Sequence, residues 1–174
     1  KINPKKIVVG YDFRFGHNGM GNTDLLEGWA SDNGITIEIV PPVRDSNGTP
    51  HKSGQIRKWL DTDVDQAIQS LGHPYLLIGE VIQGDGRGKE LGYPTANLKV
   101  HTQKCIPKSG VYKGYMEHNK QKYPGIIYIG NKPSFDGQHT SIEIHLFDYH
   151  ASLYGNRIHV HIESFIRPEK KFKN

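Results

Sequence analysis

The stretch Ser141-Ile142-Glu143-Ile144-His145-Leu146-Phe147 places Ile142, Ile144 and Leu146 on one side of an extended backbone and Glu143, His145 and Phe147 on the other. A period of two means a strand with one face against a core. Ile158, Val160 and Ile162 alternate in the same way with His159 and His161. Outward from these two segments, residues 73–174 run as short stretches of β-branched and aromatic residues divided by glycine-bearing turns, with no helix expected before the C-terminal tail. About 100 residues of such strands close into a barrel or sandwich, because an open sheet leaves aggregation-prone edges. A small β-barrel is the expected architecture.

Residues 1–72 follow another pattern, alternating strand and helix. Ile7 to Val9 reads as a strand, a glycine-rich loop runs to Gly21, a helix follows from about Thr23 to Ser31, and Ile35 to Val40 is a second strand. Asn22 or Thr23 can cap that helix and Asn33-Gly34 can end it. Ser53 is positioned to cap a second helix, and Thr62 with Asp65 resembles a capping box for a third, along which Val64, Ile68 and Leu71 form a stripe ending at Gly72. The order suggests an open α/β sheet, and the change of pattern at Gly72-His73 marks the expected domain boundary, with 1–72 and 73–174 as the two parts. The fold class is thus α+β overall.

Composition narrows the function classes. The 20 glycines, 10 prolines and 9 tyrosines among 174 residues suit a turn-rich β protein and exclude a long helical bundle. A formal charge of +4 is mild enough to be met by nucleotide phosphates as well as by nucleic acid. The single cysteine, Cys105, excludes an internal disulfide, and no apolar run approaches the roughly 20 residues that cross a bilayer. A cytoplasmic setting without membrane contact is expected. The chain opens at Lys1 directly into an apolar run and reads as a piece of a longer protein.

The stretch richest in chemistry is Gly84-Asp85-Gly86-Arg87-Gly88-Lys89-Glu90-Leu91-Gly92-Tyr93-Pro94-Thr95-Ala96-Asn97, which follows a predicted strand from Leu76 to Ile82. Its glycines let backbone N–H groups approach phosphate oxygens, and Arg87 and Lys89 offset their charge. A plain surface turn is the competing reading of such a loop. Thr95 and Asn97, two residues apart in an extended segment, point the same way and offer neutral oxygens to a Mg²⁺ ion that also holds ATP phosphates. Phosphoryl transfer to a hydroxyl also needs a group that accepts its proton, and Glu143 is the candidate. Taken alone, Glu143 reads rather as a solvated residue on the outer face of a half-buried strand.

Three motifs in this order resemble the riboflavin kinase family: the glycine-rich loop running into Pro94-Thr95-Ala96-Asn97, the run Glu143-Ile144-His145-Leu146-Phe147-Asp148, and the tail Phe165-Ile166-Arg167-Pro168-Glu169-Lys170-Lys171-Phe172. The resemblance covers residues 73–174. It implies a six-stranded antiparallel barrel that binds MgATP and riboflavin on opposite sides of the transfer point and releases ADP and FMN. It also implies Mg²⁺ and nucleotide at Thr95 and Asn97, and Glu143 as catalytic base. By the same carry-over Gly84 and Lys89 meet ATP, Leu146, Asp148 and Tyr154 line its site, and Arg167, Lys170 and Phe172 close over the flavin.

Residues 1–72 are similar to the second half of the FMN adenylyltransferase module that precedes this kinase in bacterial bifunctional FAD synthetases, a partial Rossmann-like nucleotidyltransferase. Val8-Val9-Gly10-Tyr11-Asp12-Phe13-Arg14-Phe15-Gly16 and Ser53-Gly54-Gln55-Ile56-Arg57 carry that likeness. The module's histidine-bearing opening motif is not among these residues, and Lys52-Ser53-Gly54-Gln55 replaces a serine-rich approach. Adenylyl transfer is therefore not expected of this segment by itself, where Asp12 reads as a strand-end turn and Arg57 as an exposed helix cation.

Other signals are weaker. His159 and His161 share a strand face without a third metal ligand, Cys105 reads as a structural cysteine, and Lys170 to Lys173 reads as a solvated basic run. The alternative reading of the whole is a small basic barrel that binds nucleotide or RNA without catalysis. A missing aromatic stacking platform argues against it, and oligomeric state is left open.

Overall fold

The structure, a computed structural model, describes residues 3–84, 93–134 and 137–170. It divides into two compact units, Lys1–His51 and Lys52–Asn174.

In the first unit, strand β1 (Lys6–Gly10) pairs in parallel with β2 (Thr36–Val40), with Val8 opposite Glu38, and Lys6 forms an ion pair with Glu38. Helix α1 (Thr23–Asp32) joins them. Of the two expected caps, Asn22 serves: its side chain accepts a hydrogen bond from the Leu25 N–H at 2.9 Å. The helix stops where Gly34 takes φ 66°, a left-handed conformation that a side chain would resist.

The second unit opens with α2 (Ser53–Thr62) and α3 (Val64–Leu71), then continues as β3 (Tyr75–Ile82), β4 (Ala96–Val100), β5 (Gly110–His118), β6 (Gln121–Ser134), β7 (Gly137–Leu146) and β8 (Arg157–Arg167). The six strands form a closed antiparallel barrel in the order β3-β4-β7-β6-β5-β8. Alternation sorts their side chains. Leu77, Val81, Leu98, Tyr112, Met116, Ile127, Ile129, Ile142, Ile144, Ile158, Val160 and Ile162 are buried inside. Burying each large side chain of this kind contributes roughly 1.5–3 kcal/mol relative to exposure. The inward faces expected for residues 142–146 and 158–162 are the ones observed, with Leu146 half-buried at the strand end.

The helices belong with this barrel. Leu60, Val64 and Ala67 join the barrel's core cluster, the Lys108 N–H donates to the Leu60 carbonyl at 2.8 Å, and the Lys108 ammonium donates to the Thr62 carbonyl at 2.6 Å. The pattern changes at Gly72-His73, but the compact unit begins earlier, at Lys52, because these contacts bind α2 and α3 to strands far away in sequence.

Two caps differ from the sequence expectation. Lys52 occupies the N-cap of α2, while Ser53 lies inside its first turn and accepts from Arg57 at 3.5 Å. Asp63 caps α3, accepting from the Gln66 N–H at 3.2 Å. The Asp65 carboxylate expected in the capping box instead accepts from the Phe165 N–H at 2.8 Å, a tertiary bond to β8 that spans 100 positions.

Candidate functional site

The site is built where β4 meets β7. These strands pair over only two positions, Ala96 opposite Ile144 and Asn97 opposite Glu143, before β4 continues along β3 and β7 along β6. The short pairing sets Thr95, Asn97 and Glu143 side by side on the outer face, while Ile144 and Ile142 turn inward. Thr95 Oγ1 donates to Glu143 Oε2 at 3.3 Å, and Ser141 Oγ donates to Glu143 Oε1 at 3.3 Å. Both contacts exceed the usual 2.7–2.8 Å of an O–H···O bond, and they aim the carboxylate from two neighbouring hydroxyls. A hydroxyl that donates its proton to Glu143 still presents oxygen lone pairs elsewhere, and Thr95 can do both.

Neighbouring residues hold this cluster. A ring nitrogen of His145 lies 2.9 Å from the Pro94 carbonyl oxygen, and the His145 ring meets Tyr93 and Phe147 edge-on at 5.6 and 5.7 Å. The segment that delivers Thr95 is thereby fastened to the strand that carries Glu143. Gly84 makes room for Asn97, since a Cβ there would lie 1.9 Å from Asn97 Nδ2 and 2.4 Å from its Cγ. No larger residue fits at position 84 unless Asn97 moves.

Two clefts flank the cluster. One, of about 140 Å³, is lined by Thr95 with Val81, Leu146, Tyr149, Leu153 and Tyr154, a largely apolar wall suited to a flat heterocycle. The other, of about 550 Å³, is lined by Asn97 and Ser141 with Gly84, Thr140, Lys99 and Lys104. Thr95 therefore faces one cleft and Asn97 the other, with Glu143 between them.

The expected residues fall into place unevenly. Leu146 and Tyr154 share the smaller cleft with Thr95, whereas Asp148 sits in the turn after β7 at φ 54° and does not line it. Arg167 is exposed at the end of β8 and donates to the Pro168 carbonyl at 3.2 Å, and Lys170 follows in the tail. Arg87, Lys89 and Phe172 lie outside the described residues. Sequence reasoning did not single out Ser141, His145, Tyr128 or Glu169. Tyr128 stands opposite Glu143 on β6, and its hydroxyl donates to Glu169 Oε1 at 2.5 Å. Alternation along β6 put Tyr128 outside the core, but no local signal named its partners.

Outside this region, Cys105 is exposed and not a buried structural cysteine, because its segment is held by backbone: the Tyr75 hydroxyl donates to the Cys105 carbonyl at 2.7 Å. Burial pushes the Tyr75 hydroxyl up to about 12. His161 stacks on Tyr115 at 4.6 Å, and no group of three or more His, Cys, Asp or Glu among the described residues is arranged to hold a metal ion. Among the described residues no helix is long and apolar enough to cross a membrane.

Comparison with known proteins agrees with this geometry. The riboflavin kinase family model matches residues 71–174, more than half of the chain, and the FAD synthetase model matches residues 1–53. The chain is 34% identical to a bifunctional riboflavin kinase/FMN adenylyltransferase of Listeria monocytogenes over 98% of its own length and 54% of that protein's. A Bacillus subtilis protein of the same description is 36% identical, over 98% of this chain and 55% of the relative. A crystal structure from Streptococcus pneumoniae, described as a macrolide-efflux protein, superposes with a TM-score of 0.83 at 34% identity, over 98% of this chain and 55% of that one. The chain thus spans about half the length of the relatives it matches. With the closed barrel, the paired Asn97 and Glu143 and a kinase match across the whole barrel, the chain belongs to the riboflavin kinase family.

Proposed function

We propose that the barrel transfers the γ-phosphoryl group of MgATP to the terminal ribityl hydroxyl of riboflavin, with Glu143 as the base. The observation that carries this reading is the approach of Thr95 Oγ1 to Glu143 Oε2 at 3.3 Å, with Asn97 as the register partner of Glu143. It joins a metal-nucleotide donor pair and a proton acceptor within one cross-strand neighbourhood.

The nucleotide takes the cleft lined by Leu146 and Tyr154, and its phosphates extend toward Thr95. Thr95 and Asn97 are hard, neutral oxygen donors, a set that suits a Mg²⁺ ion arriving with the nucleotide better than a resident metal. That ion, as part of the substrate, offsets negative charge on the phosphates. Riboflavin approaches Glu143 from the β6 side, toward which the tail bearing Arg167 and Lys170 returns, and the family resemblance adds Phe172 to the flavin contacts. Glu143 accepts the proton as the ribityl oxygen bonds to the γ-phosphorus, and the bond from that phosphorus to the β–γ bridging oxygen breaks, releasing ADP and leaving FMN. The two hydroxyl contacts keep the carboxylate aimed. The lone, exposed Cys105 accords with a cytoplasmic setting.

Incubating the chain with MgATP and riboflavin and separating riboflavin, FMN and FAD tests the reading. FMN is expected, and Glu143→Gln should lower kcat by roughly 10²–10⁴ while ATP binding persists. A parallel loss of turnover and ATP binding would make Glu143 structural. No FMN together with steeply salt-dependent RNA binding would replace the kinase by a binding module. FAD in the same chromatogram would assign adenylyl transfer to the chain as well.

A further inference from the structure

β8 ends at Arg167, paired with Val111 of β5, and Pro168 has no N–H with which to continue the ladder. Two residues later the chain is tied not to β5 but to the strand beyond it, where the Tyr128 hydroxyl of β6 donates to Glu169 Oε1. The registers arrange one row around the outer face: Arg167, Val111, Tyr128, Glu143, Asn97. The tail therefore spans β5 along this row and is held one strand short of Glu143. Neighbouring strands lie about 4.8 Å apart, which puts the tie within side-chain reach of the reacting group.

The phenol is laid along its strand by Gly130. A Cβ at Gly130 would lie 2.1 Å from the Tyr128 hydroxyl oxygen and 2.4 Å from the ring carbon that bears it, so the ring covers a position that only glycine leaves open. Gly130 is in turn the register partner of Ser141, whose hydroxyl donates to Glu143 and which lines the larger cleft. Burial, and after it the hydrogen bond to Glu169, pushes the Tyr128 hydroxyl up to about 12, so it remains a donor across the working range of pH.

We infer that Tyr128 is a positioning residue for the flavin: it pins Glu169, and through it the tail that carries Lys170, beside Glu143 on the side from which the acceptor hydroxyl arrives. The inference rests on the kinase reading above. It adds that flavin affinity depends on a single phenol–carboxylate bond that the nucleotide side does not share. Tyr128 acts through the tail and not on the reacting atoms.

The test is steady-state kinetics on the full chain, with riboflavin binding followed separately by quenching of flavin fluorescence. Tyr128→Phe, which keeps the ring, should raise both KM and Kd for riboflavin roughly tenfold, the worth of one charge-assisted hydrogen bond. KM for MgATP and the melting temperature should stay as in the parent. Glu169→Ala should match it, and because Glu169 is exposed this change does not threaten the barrel. The double variant should be no worse than either single one, and Glu169→Gln, which keeps an acceptor, should recover part of the loss. Unchanged riboflavin affinity in both single variants, an equal rise in KM for MgATP, or additive losses would each overturn the inference. If the parent chain forms no FMN, the kinase reading itself falls. If the parent is active and the variants bind riboflavin normally, only the latch falls.

Discussion

The two units of this chain solve the same problem to different degrees. In the barrel every strand has a partner on both sides, and the alternating apolar side chains fill one interior. Among the described residues the unit before it has two parallel strands, one α-helix and a single 3-10 turn at His17–Gly19, and leaves Val8 56%, Leu25 60%, Trp29 50% and Met20 79% exposed. Parallel sheets ordinarily have both faces covered, and a two-stranded sheet is all edge. Apolar content does not separate the units so much as closure does. A closed sheet removes its own edges and creates an inside, and only there does alternation turn into buried area.

The sharpest way to break this comparison is amide hydrogen exchange. Protection in β5 to β8 should exceed that in β1 and β2 by at least about a thousandfold, because local opening costs little where few buried contacts hold the backbone. Equal protection would show that the first unit is as firmly held as the barrel. Paired truncations measure the same contrast through side chains. Ile144→Ala, at an interior position 1% exposed, should destabilise the barrel by about 2–5 kcal/mol in denaturant titration. Val8→Ala should change stability by no more than about 0.5 kcal/mol.

Within the barrel, the site is separable from the core. Gly84→Ala pushes against the Asn97 amide and not against buried hydrocarbon, so kcat/KM for MgATP should fall roughly tenfold to a hundredfold with little change in melting temperature. A large drop in melting temperature would instead make Gly84 part of the structural closure. The smallest effect is one of pH. Burial pushes Tyr75, Tyr112 and Tyr128 up to about 12 from an ordinary 10.0, so the folded state favours their neutral forms. Their contribution to stability is complete below pH 10 and is lost as pH rises toward about 12. Denaturation midpoints should decline across that window together with the appearance of tyrosinate absorbance, and a flat profile would show that the phenols titrate as if exposed.

Much of the barrel was legible because it is a local property. The alternation of Ile142, Ile144 and Leu146 against Glu143 and His145 assigns inside and outside one residue at a time, and a strand needs no knowledge of its neighbour to do this. The helix expected from about Thr23 to Ser31 was legible for the same reason, through Asn22 at one end and Gly34 at the other, and it runs one residue further, to Asp32. The cap of α3 was not. Asp65 has the residue type and spacing of a capping box, yet a backbone N–H of β8 takes its carboxylate, and no local pattern announces a competitor 100 positions away.

The candidate site divides along the same line. Sequence by itself determined that Thr95, Asn97 and Glu143 lie on outer strand faces and, through three motifs in order, which family the chain resembles, but not that Thr95 and Asn97 line different clefts. Only the tertiary structure decided that β4 pairs with β7 at the two positions that place Asn97 beside Glu143, that His145 fastens the Thr95 segment, and that Tyr128 reaches Glu169. The physical reason is that side-chain direction follows from the chain's own period, whereas register between strands is settled by closing the whole sheet around one shared core.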